Sequence, residues 1–89
     1  MLETFAIEAA GYAEGLTLAA MALERDPADE QATLEIARLL HTLKGAAGTV
    51  GFDEIGDRCH SLEDELTRMA VGGVRPDARF IQRLLELVT

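Results

Sequence analysis

Tryptophan is absent from this chain, cysteine occurs once, and aromatic residues make up only 4% of its 89 positions. So small an aromatic share argues against a β-sandwich or barrel and suits helices. A single thiol, Cys59, permits no internal disulfide and fits a reducing compartment. Basic residues are scarce as well. Eight Lys and Arg stand against 16 Asp and Glu, a formal charge of −8 that disfavours nucleic acid and anionic membrane as partners. The most apolar run, "GLTLAAMALE", is too short to cross a bilayer. The opening "MLETFAIEAA" lacks the positive flank of a secretory signal. Neither G-x-x-x-x-G-K-[ST] nor G-x-G-x-x-G occurs, so the chain has no recognisable nucleotide cradle. Together these absences predict a cytoplasmic protein with no nucleic-acid or membrane partner and no cofactor of its own.

What is present is aliphatic. Hydrophobic residues make up 48% of the chain, mostly Leu, Ala, Ile and Val. A chain of this size buries roughly two-thirds of its unfolded surface, enough for one compact core but not for a deep enclosed active site. Residues 1–89 therefore read as a single domain. Apolar residues at Phe5, Ala9, Tyr12, Leu16, Ala19 and Leu23 alternate steps of four and three, the mark of a helix with one buried face. "RDPADE" breaks the pattern, with Asp26 placed to cap and Pro27 suited to a first helical position. The same rhythm resumes at Ile36, Leu40, Leu43, Ala47 and Val50, turns at Gly51, and returns at Ile55, Cys59, Leu62, Leu66 and Met69. "VGGVRPD" ends that segment, and Asp77 is placed to cap a short last helix carrying Phe80, Ile81, Leu84, Leu85 and Val88. The spacing predicts an all-α antiparallel four-helix bundle, with helices at roughly 4–24, 27–49, 53–70 and 77–88.

One stretch resists a purely structural explanation. "LLHTLKGAAG" lies inside the second helix yet holds Gly45 and Gly48, and a helix interior loses about 1 kcal/mol for each Gly in place of Ala. With Ile36 at zero, rotation of about 100° per residue puts His41 near 140°, Lys44 near 80°, Gly48 near 120° and Gly45 near 180°. The histidine and both glycines thus share a flank away from the core seam. Bare backbone beside His41 leaves room for the surface of another protein. Packing of one glycine against the first or fourth helix is the competing explanation.

The third helix repeats the arrangement. Measured from Ile55, His60 falls near 140° and Glu63 near 80°. If the hairpin turns about position 52, residues at equal depth sum to about 104 by the constant helical rise. His41 is then level with Glu63, and Lys44 with His60. A carboxylate on one imidazole nitrogen fixes the tautomer and leaves the other nitrogen's lone pair outward as a nucleophile. Lys44 would favour an incoming anion such as a phosphoryl group, and His60 would add a donor. These are parts that phosphoryl transfer through histidine requires, with the donor supplied from elsewhere. Two other readings stand beside this one. A metal site among His41, Cys59, His60 and Glu63 is disfavoured by the cation Lys44 and by a single His-x-x-Glu in place of paired Glu-x-x-His. A non-catalytic helical interaction bundle leaves the convergence of these residues unexplained. Cys59, on the apolar seam, reads as a buried small hydrophobe.

"HTLKGAAGTVGF" resembles the H-x-x-K-G-x-x-G segment of histidine-containing phosphotransfer (HPt) domains, and most of all the N-terminal phosphotransfer domain of CheA-type chemotaxis histidine kinases. The "HSLEDEL" of the third helix is similar to the same subgroup, and "FAIEAAGYAEGL" resembles its first helix more loosely. The resemblance implies that His41 is the phosphorylation site, that Glu63 hydrogen-bonds its ring, and that Lys44 and His60 are polar neighbours. It implies that Gly45 and Gly48 clear space for a docking partner, with Leu40, Ala46 and Thr49 as further candidates around them. It further implies two partners. A histidine kinase catalytic domain, with ATP and magnesium, phosphorylates the histidine, which passes the group to an aspartate of a response-regulator receiver domain. The chain would then be no enzyme on its own. Members of this subgroup continue into a further helix and further domains, so the expectation is a domain excised from a larger histidine kinase or hybrid protein, with a freestanding HPt protein as the alternative.

Overall fold

The computed structural model describes residues 2–89. Four helices, α1 (Leu2–Arg25), α2 (Glu30–Val50), α3 (Asp53–Val71) and α4 (Ala78–Val88), account for the regular structure of these residues. Each packs on its neighbours in chain order, and α4 closes the ring by packing on α1, so α2 and α3 form one side of an antiparallel bundle and α1 and α4 the other. The bundle measures 39 × 21 × 18 Å, its long dimension close to the length of α1.

The core follows the expected seams. Leu16, Leu23, Ile36, Leu40, Cys59, Phe80 and Leu84 are wholly buried, and no polar or charged side chain among the described residues is buried with them. Ala9, Tyr12, Val50, Ile55, Met69, Leu85 and Val88 pack at the margin of the core, partly exposed. Gly15 owes its place to packing: a Cβ there would stand 2.9 Å from Leu39 Cδ1, so its absence lets α1 approach α2 closely. Gly51 ends α2 with φ of 82°, a left-handed conformation that favours glycine, and Phe52 N–H donates to Ala47 O at 2.9 Å to close the turn into α3.

The start of α2 differs from expectation. Asp29 caps it, its Oδ1 accepting from Ala32 N–H at 3.1 Å, so the helix begins at Glu30 and not at Pro27. Asp26 instead accepts from Ala28 N–H at 3.0 Å, and its carbonyl accepts from Asp29 N–H at 3.0 Å. An aspartate followed by proline suits the first two positions of a tight turn as well as a helix start, and here the turn wins. Asp77 does cap α4, accepting from Phe80 N–H at 2.9 Å, which places the first helical residue at Ala78. α1 extends one or two residues beyond its expected limits at each end, α2 and α3 each end one residue later than expected, and α3 begins at Asp53 as expected.

Candidate functional site

His41 projects from the middle of α2 with 75% of its side chain exposed. Across the groove, α3 presents Glu63, whose Oε2 lies 3.5 Å from His41 Nδ1. That distance is long for a made hydrogen bond but places the carboxylate beside Nδ1 of a largely exposed ring. Glu63 also meets Lys44, with Nζ 2.9 Å from Oε1. Oε1 is shielded from solvent, and the Lys44 ammonium is the cation beside it. One carboxylate therefore joins the histidine and the lysine of α2, and the three side chains form a single cluster on the α2–α3 side of the bundle.

His60 does not complete it. Its Nε2 lies 3.3 Å from Asp64 Oδ2, one turn along α3, and both side chains are largely exposed. Its partner is a carboxylate four residues on along the same helix, and not a side chain of α2. Asp64 is thus a site neighbour that the cross-helix register overlooked; its i, i+4 spacing from His60 was the available signal.

The glycines stand where the helical wheel put them. A Cβ at Gly45 or Gly48 would meet nothing within 4 Å, so neither is needed for packing inside the bundle. Thr49 is exposed beside them, its hydroxyl donating to Gly45 O at 3.0 Å. Two other expected docking residues are not available in the same way. Leu40 is fully buried in the core, as its position on the α2 seam requires, and Ala46 packs half-buried against that core. Accessible apolar surface lies instead on the other side of His41. An open groove of about 230 Å³ runs between α2 and α3, lined by Leu34, Ala37, Glu63, Leu66, Thr67 and Ala70, with Leu34 65% exposed.

Cys59 sits one turn before Glu63 beneath this surface. Burial, reinforced by the Glu63 charge and opposed by Lys44, pushes its thiol up to about 11, so it stays protonated at neutral pH and is no nucleophile. Among the described residues, no cluster of three or more His, Cys, Asp or Glu side chains is arranged to hold a metal ion. No described helix is long and apolar enough to cross a membrane. A surface hollow of about 560 Å³ around Leu23, Ile81 and Leu85 lies on the α1–α4 side, away from His41, and has neither histidine nor lysine in its lining.

Comparison with known proteins shows the family of this chain. The family profile of the Hpt domain matches residues 1–89. The chain is 38% identical over 85 residues to the chemotaxis protein CheA of Halobacterium salinarum, an alignment covering 96% of this chain and 13% of that protein. It is also 38% identical over 66 residues to the gliding motility regulatory protein of Myxococcus xanthus, covering 74% of this chain and 8% of that one. The chain therefore spans only a small part of the curated relatives it matches. Among solved structures, the CheA phosphotransferase domain from Thermotoga maritima superimposes with a TM-score of 0.88 at 32% identity, covering 98% of this chain and 83% of that one.

Proposed function

The chain belongs to the Hpt domain family and is a phosphorelay carrier of two-component signalling, and on that premise we propose that His41 is the residue that takes up the phosphoryl group and hands it on. The observation that carries the assignment is the pairing of an exposed ring with a carboxylate at Nδ1. A proton on Nδ1, held toward Glu63, leaves the Nε2 lone pair free to attack phosphorus. In the loading step the N–P bond forms as the bond from the γ-phosphorus to the bridging oxygen of ATP breaks, and the electron pair leaves with ADP. In the unloading step a receiver aspartate oxygen attacks the same phosphorus, an acyl phosphate forms, and the electron pair returns to Nε2. Glu63 stabilises the positive charge on the ring that accompanies the N–P bond. Lys44 lies beside the incoming phosphoryl oxygens and offsets their charge.

ATP and magnesium belong, on this reading, to a histidine kinase catalytic domain, and the acceptor aspartate to a response-regulator receiver domain. The similarity to CheA supports a place for this chain as one module of a larger kinase working in the cytoplasm. Both partners need to reach Nε2. Gly45, Gly48 and Thr49 on one side, and Leu34, Thr67 and Ala70 on the other, are the accessible surface we assign to that docking. His60 is assigned a peripheral role, paired with Asp64 at the edge of this surface.

Transfer itself tests the reading. The domain, labelled by a CheA-type kinase domain and separated from ATP, is mixed with a receiver domain and sampled over seconds. Movement of label to the receiver, lost when the receiver aspartate is changed to asparagine, is the expected result. Label that stays on the domain with every receiver tried contradicts the carrier assignment for His41.

A further inference from the structure

Arg38 and Lys44 stand three residues before and three residues after His41. Helical rotation puts them about 60° to either side of it, so two cations bracket the ring, one turn above and one turn below. They are held differently. Lys44 lies on the α3 flank, largely covered, against the partly buried carboxylate of Glu63. Arg38 lies on the opposite flank, where Tyr12 of α1 is its other titratable neighbour. Its Nε is 3.3 Å from Glu35 Oε2 and its Nη2 donates to Oε1 of the same carboxylate, a two-pronged grip between exposed side chains, 61% and 45% accessible. An ion pair so open to water contributes little and exchanges readily. The guanidinium fork is nonetheless already formed, and matches phosphate oxygens as well as it matches a carboxylate.

We propose that Arg38 is a second phosphoryl-holding residue: when His41 carries the group on Nε2, the Arg38 guanidinium leaves Glu35 and takes two of its oxygens, opposite Lys44. This rests on the assignment of His41 as the phosphorylated residue. Side chains three apart on a helix have Cβ atoms about 5–6 Å from each other, a gap that an arginine spans easily. A phosphoryl group brings a charge of about −1.5 to −2 and three acceptor oxygens, against a single charge on Glu35, so the exchange favours the new partner. No bond is made or broken in it. Glu35 therefore acts as the resting partner of Arg38, keeping the cation extended along α2 until an anion arrives.

The test uses the whole 89-residue domain, phosphorylated with phosphoramidate, a small donor that needs no kinase and no docking surface. The second ionisation of the phosphoryl group is then followed by 31P NMR against pH in wild type, Arg38→Gln, Arg38→Lys and Glu35→Gln. A cation in contact favours the dianion, so the wild-type group should titrate about 0.5 unit below that of Arg38→Gln, with Arg38→Lys between them and Glu35→Gln at or below wild type. Coincident curves for wild type and Arg38→Gln overturn the role of Arg38 and leave His41 untouched. A wild-type domain that gains no phosphoryl group on His41 overturns the underlying assignment and this proposal with it. Because Arg38 is exposed and Gln is a good helix former, circular dichroism should confirm that every variant remains folded.

Discussion

Glu63 faces His41 across the α2–α3 groove, its Oε2 3.5 Å from the ring Nδ1, while its other oxygen is shielded from solvent beside Lys44. On the proposed assignment, the orientation of the attacking nitrogen depends on a residue 22 positions further along the chain, carried by a different helix. Replacing Glu63 with Gln keeps the shape but removes the charge that stabilises a protonated Nδ1. Hydrogen bonds to charged groups contribute about 1.5–3 kcal/mol, so phosphorylation of His41 should slow by about tenfold to a hundredfold. Rapid-quench labelling measures the rate, and a thermal melt checks that the bundle is intact. Equal rates would mean that tautomer control by Glu63 is unimportant.

Gly45 and Gly48 cost helix stability without serving the core. Alanine at either position meets open space and should stabilise the domain by about 0.5–1 kcal/mol, read from urea unfolding. The doubly substituted domain should accept phosphate from phosphoramidate at the wild-type rate but exchange it more slowly with kinase and receiver domains. Undiminished exchange would show that the bare backbone is not a docking surface.

Leu34 and Leu40 separate docking from packing. Leu40→Ala opens a cavity in the core and should cost about 2–5 kcal/mol, seen as a lower unfolding midpoint. Leu34→Asp changes an exposed side chain and should cost under about 1 kcal/mol while weakening receiver binding in calorimetry. Wild-type affinity in Leu34→Asp would remove the α2–α3 groove around Leu34 from the interface.

Cys59 makes stability depend on alkaline pH. Its thiol is raised to about 11 in the folded domain against an ordinary 9.0, chiefly by burial. Between those values the unfolded chain loses the thiol proton and the folded chain keeps it, so stability falls as pH rises by about 1.4 kcal/mol per unit. Below pH 9 the contribution is fully present. Subtracting the curve of Cys59→Ala isolates it from the other titrating groups, and a difference that is flat from pH 8 to 11 would contradict it.

The phases of the helices were legible because apolar spacing reports rotation directly, and the pairing of His41 with Glu63 was legible because helical rise is constant along both arms of a hairpin. Other features depended on competition between local options. Asp26 and Pro27 suit a helix start and a tight turn equally, and only the availability of Asp29 as a cap decided between them. His60 had a cross-helix level and an i, i+4 carboxylate, and the nearer partner won. Leu40 adjoins His41 in sequence, yet neighbours on a helix point about 100° apart, so nearness along the chain was a poor guide to a shared surface. Leu34, seven residues before His41 on almost the same line of α2, was the better candidate by that rule.

The central claim is that His41 carries the phosphoryl group. The most direct measurement incubates the domain with labelled ATP and a CheA-type kinase domain, then tests the modified protein for an acid-labile, base-stable phosphate and locates it by mass spectrometry. Label on His41 of the wild type, and none on His41→Gln that remains folded, is the result this account predicts. Label retained by His41→Gln, or none on the wild type with a kinase that phosphorylates a CheA phosphotransfer domain in the same experiment, would contradict it.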